Sequence, residues 1–136
     1  MSALLGALQV VGKGGNELFV YEDCLVRAST GMIAALTGGE LKDFFEKKDD
    51  HVPAEVLVMR HEDNRMVRRP DVREAVLAKG RWPATGLRRL TLTLHSGTVV
   101  RYEWPGDSAT RALNHDAYAI DLLKHCLGDL LDVQLT

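Results

Sequence analysis

The sequence predicts an α+β fold: an antiparallel sheet with one buried face, closed by a helix near the carboxy-terminal end. Two patterns carry this. Leu90-Thr91-Leu92-Thr93-Leu94 and Val99-Val100-Arg101-Tyr102-Glu103-Trp104 alternate apolar and polar side chains, as strands with one face in a core do. Leu113, Ala117, Ile120, Leu123, Leu127 and Leu130 then recur at steps of three and four, an apolar helical stripe. That stripe needs a partner surface, and the leucine face of the sheet is the one on offer.

The register of the strand pair follows from arithmetic. Cross-strand partners share a face, so the numbers of paired residues must sum to an even value if Leu90, Leu92, Tyr102 and Trp104 are to face one core. A two-residue turn at Ser96-Gly97 pairs Leu94 with Val99 and sets Arg101 and Glu103 opposite the leucines. A three-residue loop, His95-Ser96-Gly97, restores the parity and calls for positive φ at its third residue, where glycine is suited.

In chain order, Leu4–Val11 is apolar and ends at the glycine cluster Gly12 to Asn16. It suits a strand or a short helix, and strand is the favoured reading. Leu18–Tyr21 and Cys24–Arg27, separated by Glu22-Asp23, predict a hairpin. Gly31–Gly39 is a small apolar segment, either a buried helical turn or a surface patch. Glu40–Lys48 reads as a short amphipathic helix with Leu41, Phe44 and Phe45 on one face. Val52–Met59 opens with a proline fit for a first helical turn, and a short helix is favoured over a strand. Arg65–Arg69 reads as a short strand, Pro70–Glu74 as one helical turn, and Ala75–Ala78 as a strand ending at Lys79-Gly80. Arg81–Gly86 is a loop. After Pro105-Gly106, Asp107 or Ser108 can cap a starting helix. Asn114-His115-Asp116 interrupts its first part, the main helix runs from about Asp116, and Gly128 weakens or ends it.

The 136 residues predict one domain, and 46 % apolar content suffices for a sizeable core. Charged residues are 26 % of the chain with net charge −2, which argues against generic nucleic-acid binding. Cys24 and Cys126 lie in apolar surroundings. They read as buried free thiols in a reducing cytoplasm, with a disulfide as the alternative. No basic segment precedes the first apolar run, so no signal peptide is expected. The apolar stretches fall far short of the roughly 20 residues that span a bilayer.

The order of elements resembles small bacterial domains similar to the pleckstrin-homology (PH) fold. Glu17–Arg27 resembles their opening hairpin. Leu57–Asn64 with Val67-Arg68-Arg69-Pro70-Asp71-Val72 resembles a short helix before an "Ile-Pro-Tyr-x-x-Ile" strand start. Leu90–Leu94, Gly97 and Tyr102-Glu103-Trp104 resemble the late hairpin, and Ala117–Leu127 the closing helix. The likeness spans about two-thirds of the chain and is mostly hydrophobic pattern. It implies a PH-like bent antiparallel sheet or split barrel, open at one end and capped by the helix. Many bacterial domains of this kind have no known activity, and some assemble into oligomers. The eukaryotic lipid-binding type carries several basic residues on its first loop. Here that loop offers only Lys13, so no functional residue carries over.

Candidate chemistry is sparse. No two of the five histidines stand at the four-residue spacing of a helical zinc site, and no cysteine pair helps, so no metal is expected. Asp49-Asp50-His51 and His61-Glu62-Asp63-Asn64 could supply acid–base groups but read better as solvated turns. Gly12-x-Gly14-Gly15 lacks the lysine–serine pair of a phosphate loop, and no nucleophile elbow appears. No cofactor is implied. Arg65, Arg68, Arg69, Arg73 and Lys79, continued by Arg81, Arg88 and Arg89, form a basic stretch for an anionic partner or a solvated surface. Trp82 is an interface anchor if exposed, and a plug in the open end of the sheet if buried. The leading expectation is a non-catalytic module. It would hold a protein partner or a second copy through an edge strand or the groove beside the closing helix. Binding of an anion or small ligand by the basic stretch is the alternative, and a small enzyme comes third.

Overall fold

The computed structural model describes residues 3–11, 16–29, 58–59, 65–80, 86–107 and 114–135. Among these, eight strands form two four-stranded sheets that do not close into a barrel. The first sheet is an antiparallel meander of β1 (Leu4–Val10), β2 (Asn16–Tyr21), β3 (Cys24–Ser29) and β4 (Arg65–Arg68). The second contains β5 (Val72–Lys79), β6 (Leu87–Leu94), β7 (Val99–Pro105) and β8 (Leu131–Gln134), in the order β7-β6-β5-β8. Helix α1 (Asp116–Leu127) lies between β7 and β8. The chain passes from one sheet to the other through a single 3-10 turn, Arg69–Asp71. Pro70 lacks an amide hydrogen and fixes its own φ, so it stops β4 from running on. The sheets also meet where the Val11 N–H donates to the Glu103 carbonyl at 2.7 Å, tying β1 to β7.

The late hairpin has the odd loop that parity requires. Leu90 pairs with Tyr102 and Leu92 with Val100, and the Leu94 N–H donates to the Thr98 carbonyl at 2.9 Å around His95-Ser96-Gly97. Gly97 has φ +92°, a conformation that other residues adopt only with strain. Leu90, Leu92, Tyr102 and Trp104 are all buried in the same core.

One core joins the inner faces of both sheets and the helix. Leu8, Leu18, Val20 and Leu25 come from the first sheet, Leu77, Leu90, Leu92 and Trp104 from the second, and Leu123 and Leu127 from α1. The helix starts at Asp116 and stops at Gly128, whose φ of +57° suits glycine. Its buried face differs from the predicted stripe. Ala119, Leu122, Leu123, Cys126 and Leu127 point inward, Ala117 is exposed and Ile120 is half-buried. The inward set satisfies the same three- and four-residue steps, rotated to the face that meets β1 and β2 as well as β8. The helix therefore seals the core mainly from the side of the first sheet. A strand, β8, then follows it and pairs in parallel with β5, an element not foreseen.

The first sheet is buried on its outer face too. Phe19, Tyr21, Cys24, Val26 and Ala28 cluster there with Leu4, Ala7, Val58 and Met66. β1 serves both faces through a bulge: Leu4 pairs with Tyr21 but Gly6 with Val20, so Leu4 faces out while Leu5 packs on the inner core. Two local readings shift. The helical turn expected at Pro70–Glu74 falls at Arg69–Asp71, and the strand expected at Ala75–Ala78 runs from Val72 to Lys79. Val58 and Met59 are helical. Residues 52–57 of the helix expected at Val52–Met59, the segments 31–39 and 40–48, the polar clusters at 49–51 and 61–64, the first loop at 12–15, residues 81–85, and Ser108 and Leu113 lie outside the described residues. Among the described residues no helix is long and apolar enough to cross a membrane.

Candidate functional site

A cleft of about 380 Å³ opens beside β1, lined by Gly6, Ala7, Gln9, Glu17, Asn114, His115 and Tyr118. β1 is an edge strand, so alternate peptide groups point away from β2 and toward the helix. Gln9 marks this outward set. Its N–H donates to the Asn114 Oδ1 at 3.1 Å, and its carbonyl accepts from the Asn114 Nδ2 at 2.9 Å. By the two-residue alternation of a strand, the peptide groups of Ala7 face the same way.

The other wall is the start of α1. An added Cβ at Gly6 would stand 2.6 Å from the Tyr118 hydroxyl and 3.1 Å from both Leu122 methyls. The missing side chain thus lets the helix close onto β1. Tyr118 remains 47 % exposed, a large aromatic at the rim. His115 is solvent-facing and pairs with Asp107, Nδ1 to Oδ1, at 3.2 Å. Glu17, on β2 beside Gln9, is the acid of the cleft; burial pushes its carboxyl above the ordinary value.

Next to the cleft, Arg88 fixes where the helix starts. It shares the inward parity of Leu90 and Leu92, pairs across the ladder with Trp104 and is only 2 % exposed. Its Nε and Nη2 each donate to Asp116 at 2.9 Å, a bidentate pair at the first helical residue. The Arg88 hydrogen bond, helped by the Asp107 backbone N–H, holds the Asp116 carboxyl below its usual range. Gly106 makes room: a Cβ there would lie 2.5 Å from the Asp116 Oδ1 and 2.6 Å from the Arg88 Nε.

The basic stretch divides accordingly. Arg88 turns inward to Asp116, and Arg89 lies 3.5 Å from Glu103. Arg65 and Arg68 on β4, Arg69 in the 3-10 turn and Arg73 on β5 are exposed, with Arg65 and Arg68 on opposite faces of β4 by strand parity. Lys79 is six residues from Arg73 along β5, about 20 Å at strand rise. Arg81 and Trp82 fall outside the described residues. Cys24 and Cys126 are buried and unbridged, and the Cys126 thiol donates to the Cys24 carbonyl at 3.7 Å. Burial pushes the Cys126 thiol up to about 12, where thiolate chemistry is suppressed.

No protein-family model matches the chain, and no curated protein or solved structure does either.

The sequence pattern points to an edge strand and a helix groove in general terms but does not single out Asn114, Glu17 or Tyr118. Arg88 was within reach: the parity that turns Leu90 inward turns Arg88 inward too. Asn114 meets Gln9 across 105 positions, and no local pattern signals that.

Proposed function

We propose that this chain is a non-catalytic, PH-like interaction module, which seats part of another protein chain or a second copy of itself in the cleft between β1 and α1. The PH-like assignment is supported by element order: four antiparallel strands, three more, then a helix. β8 is an addition to that pattern. The functional reading is carried by one observation. The cleft combines outward peptide groups of an edge strand, a half-exposed tyrosine and a carboxyl, the means by which folded modules recognise extended chains. The buried thiols suit a reducing cytoplasm, where we place it.

The test is a phage-displayed peptide selection on the immobilised protein, with a light-scattering concentration series for self-association. Either a selected peptide or a self-associated state is expected to be weakened by Tyr118→Ala. A binding activity indifferent to Tyr118→Ala, or none in both assays, overturns the reading.

A second reading rests on the exposed arginines of the β4–β5 stretch, Arg65, Arg68, Arg69 and Arg73, a basic run that suits a phosphate or lipid headgroup. A nucleotide and anionic-vesicle screen tests it. Binding abolished by the double substitution Arg68→Glu/Arg69→Glu favours it; binding indifferent to that change removes it.

A further inference from the structure

We infer that the Asn114 carboxamide is an internal stand-in for a partner strand. A lysine- or arginine-bearing extended peptide adds to the edge of β1 by taking the two Gln9 hydrogen bonds that Asn114 holds. This rests on the cleft being the docking site and adds the mode, the charge of the partner and the group it displaces.

The geometry is specific. In an antiparallel ladder, a residue facing an open edge offers one N–H and one C=O, and the neighbouring strand fills both. Asn114 fills both with one side chain, at 3.1 and 2.9 Å, and is itself only 8 % exposed. A primary amide presents the same donor and acceptor as a peptide group. Open edges invite pairing with other chains, and Asn114 blunts this one at the mouth of a cleft large enough for several residues. Val11, bonded to Glu103, bounds the usable edge at its far end, and Ala7 lies inside it.

Charge selects the partner. Glu17 lines the cleft with no ion-pair partner among the described residues, and the imidazole of His115 is already engaged by Asp107. Glu17 sits one strand in from β1, so an added backbone would lie two strand spacings away, roughly 10 Å. A lysine or arginine can span much of that gap over Ala7 and Gln9; shorter side chains cannot.

The internal amide also sets the affinity. Only molecules with Gln9 released are competent, so observed binding falls by the released fraction. Removing the competitor should tighten binding about tenfold, the scale of the one or two modest hydrogen bonds exchanged.

The test uses the full chain and fluorescein-labelled eight-residue Thr/Val-rich peptides bearing a single Lys, Arg, Gln or Glu at each position in turn. Lys and Arg peptides are expected to bind best, about tenfold tighter to Asn114→Ala and several-fold weaker to Glu17→Gln. In the wild type the Gln9 amide resonance should move on binding while its slow hydrogen exchange persists. Because Asn114→Ala could loosen the fold, Glu17→Gln and the wild-type Gln9 amide give independent readouts. Binding that ignores both substitutions but is lost in Tyr118→Ala overturns strand addition and leaves the cleft reading standing. No binding from the whole set overturns the inference, and the phage selection then decides the cleft reading separately.

Discussion

Asp116→Ala is the substitution whose effect on the scaffold can be worked out most fully. It removes one half of a bidentate pair, two contacts of 2.9 Å, from an Arg88 guanidinium that is 2 % exposed, and leaves Asp107 as the more distant negative charge acting on it. Breaking a buried pair from one side typically costs about 3–5 kcal/mol. The Asp116 side chain is 20 % accessible, so water can reach the vacated guanidinium edge, which argues for the lower end, about 3 kcal/mol. That is a large part of the roughly 5–15 kcal/mol that holds a domain folded. At about 4 °C per kcal/mol for this size, the melting temperature should fall by about 12 °C. Urea and thermal unfolding followed by circular dichroism measure both numbers. Arg88→Met/Asp116→Ala should recover much of the loss, since replacing both partners removes the buried charge together with its lost bidentate contacts. The pair also has a pH signature. The folded-state pKa of Asp116 lies below its unfolded value of about 3.9, so its contribution is complete above about pH 5 and is lost as pH falls through the folded value. Asp116→Ala should lack that acid limb. A loss under about 0.5 kcal/mol, or strict additivity with Arg88→Met, would refute the reasoning.

Three further outcomes follow from the backbone and packing at other positions and at this pair. Gly106→Ala should cost about as much as Asp116→Ala, roughly 3 kcal/mol, because its Cβ collides with both members of the pair; the two changes should not add in chemical denaturation. Gly97→Ala should cost about 1–2 kcal/mol through its φ of +92° alone, since open space surrounds it, and Gly97→Asn should be milder in the same melts. Neither thiol should react with a disulfide reagent in the folded protein at neutral pH, and labelling should rise only across the unfolding transition; fast labelling of native protein would contradict their burial.

What the chain reveals before folding divides along physical lines. The hairpin register was legible because a strand has period two: once Leu90 and Tyr102 must face one core, the loop length and the role of Gly97 follow. The limits of α1 were legible from Asp116 and Gly128. Its buried face was legible only at Leu123 and Leu127, because Ala119, Leu122 and Cys126 flank the predicted stripe, and only the position of β1 and β2 selects them over Ala117 and Ile120. β8 escaped notice because four residues, Leu131–Gln134, offer little pattern, and their pairing with β5 depends on where α1 has carried the chain. The cleft was the least legible part. Its edge, its acid and its amide come from β1, β2 and the approach to α1, and tertiary packing alone brings them together.

The most direct test of the functional account is a backbone amide shift map of the wild-type protein titrated with its tightest selected peptide. Shifts concentrated at Gly6, Ala7, Gln9, Glu17 and Tyr118 are expected. Shifts centred on Arg65, Arg68, Arg69 and Arg73, with β1 and the start of α1 unmoved, would contradict it.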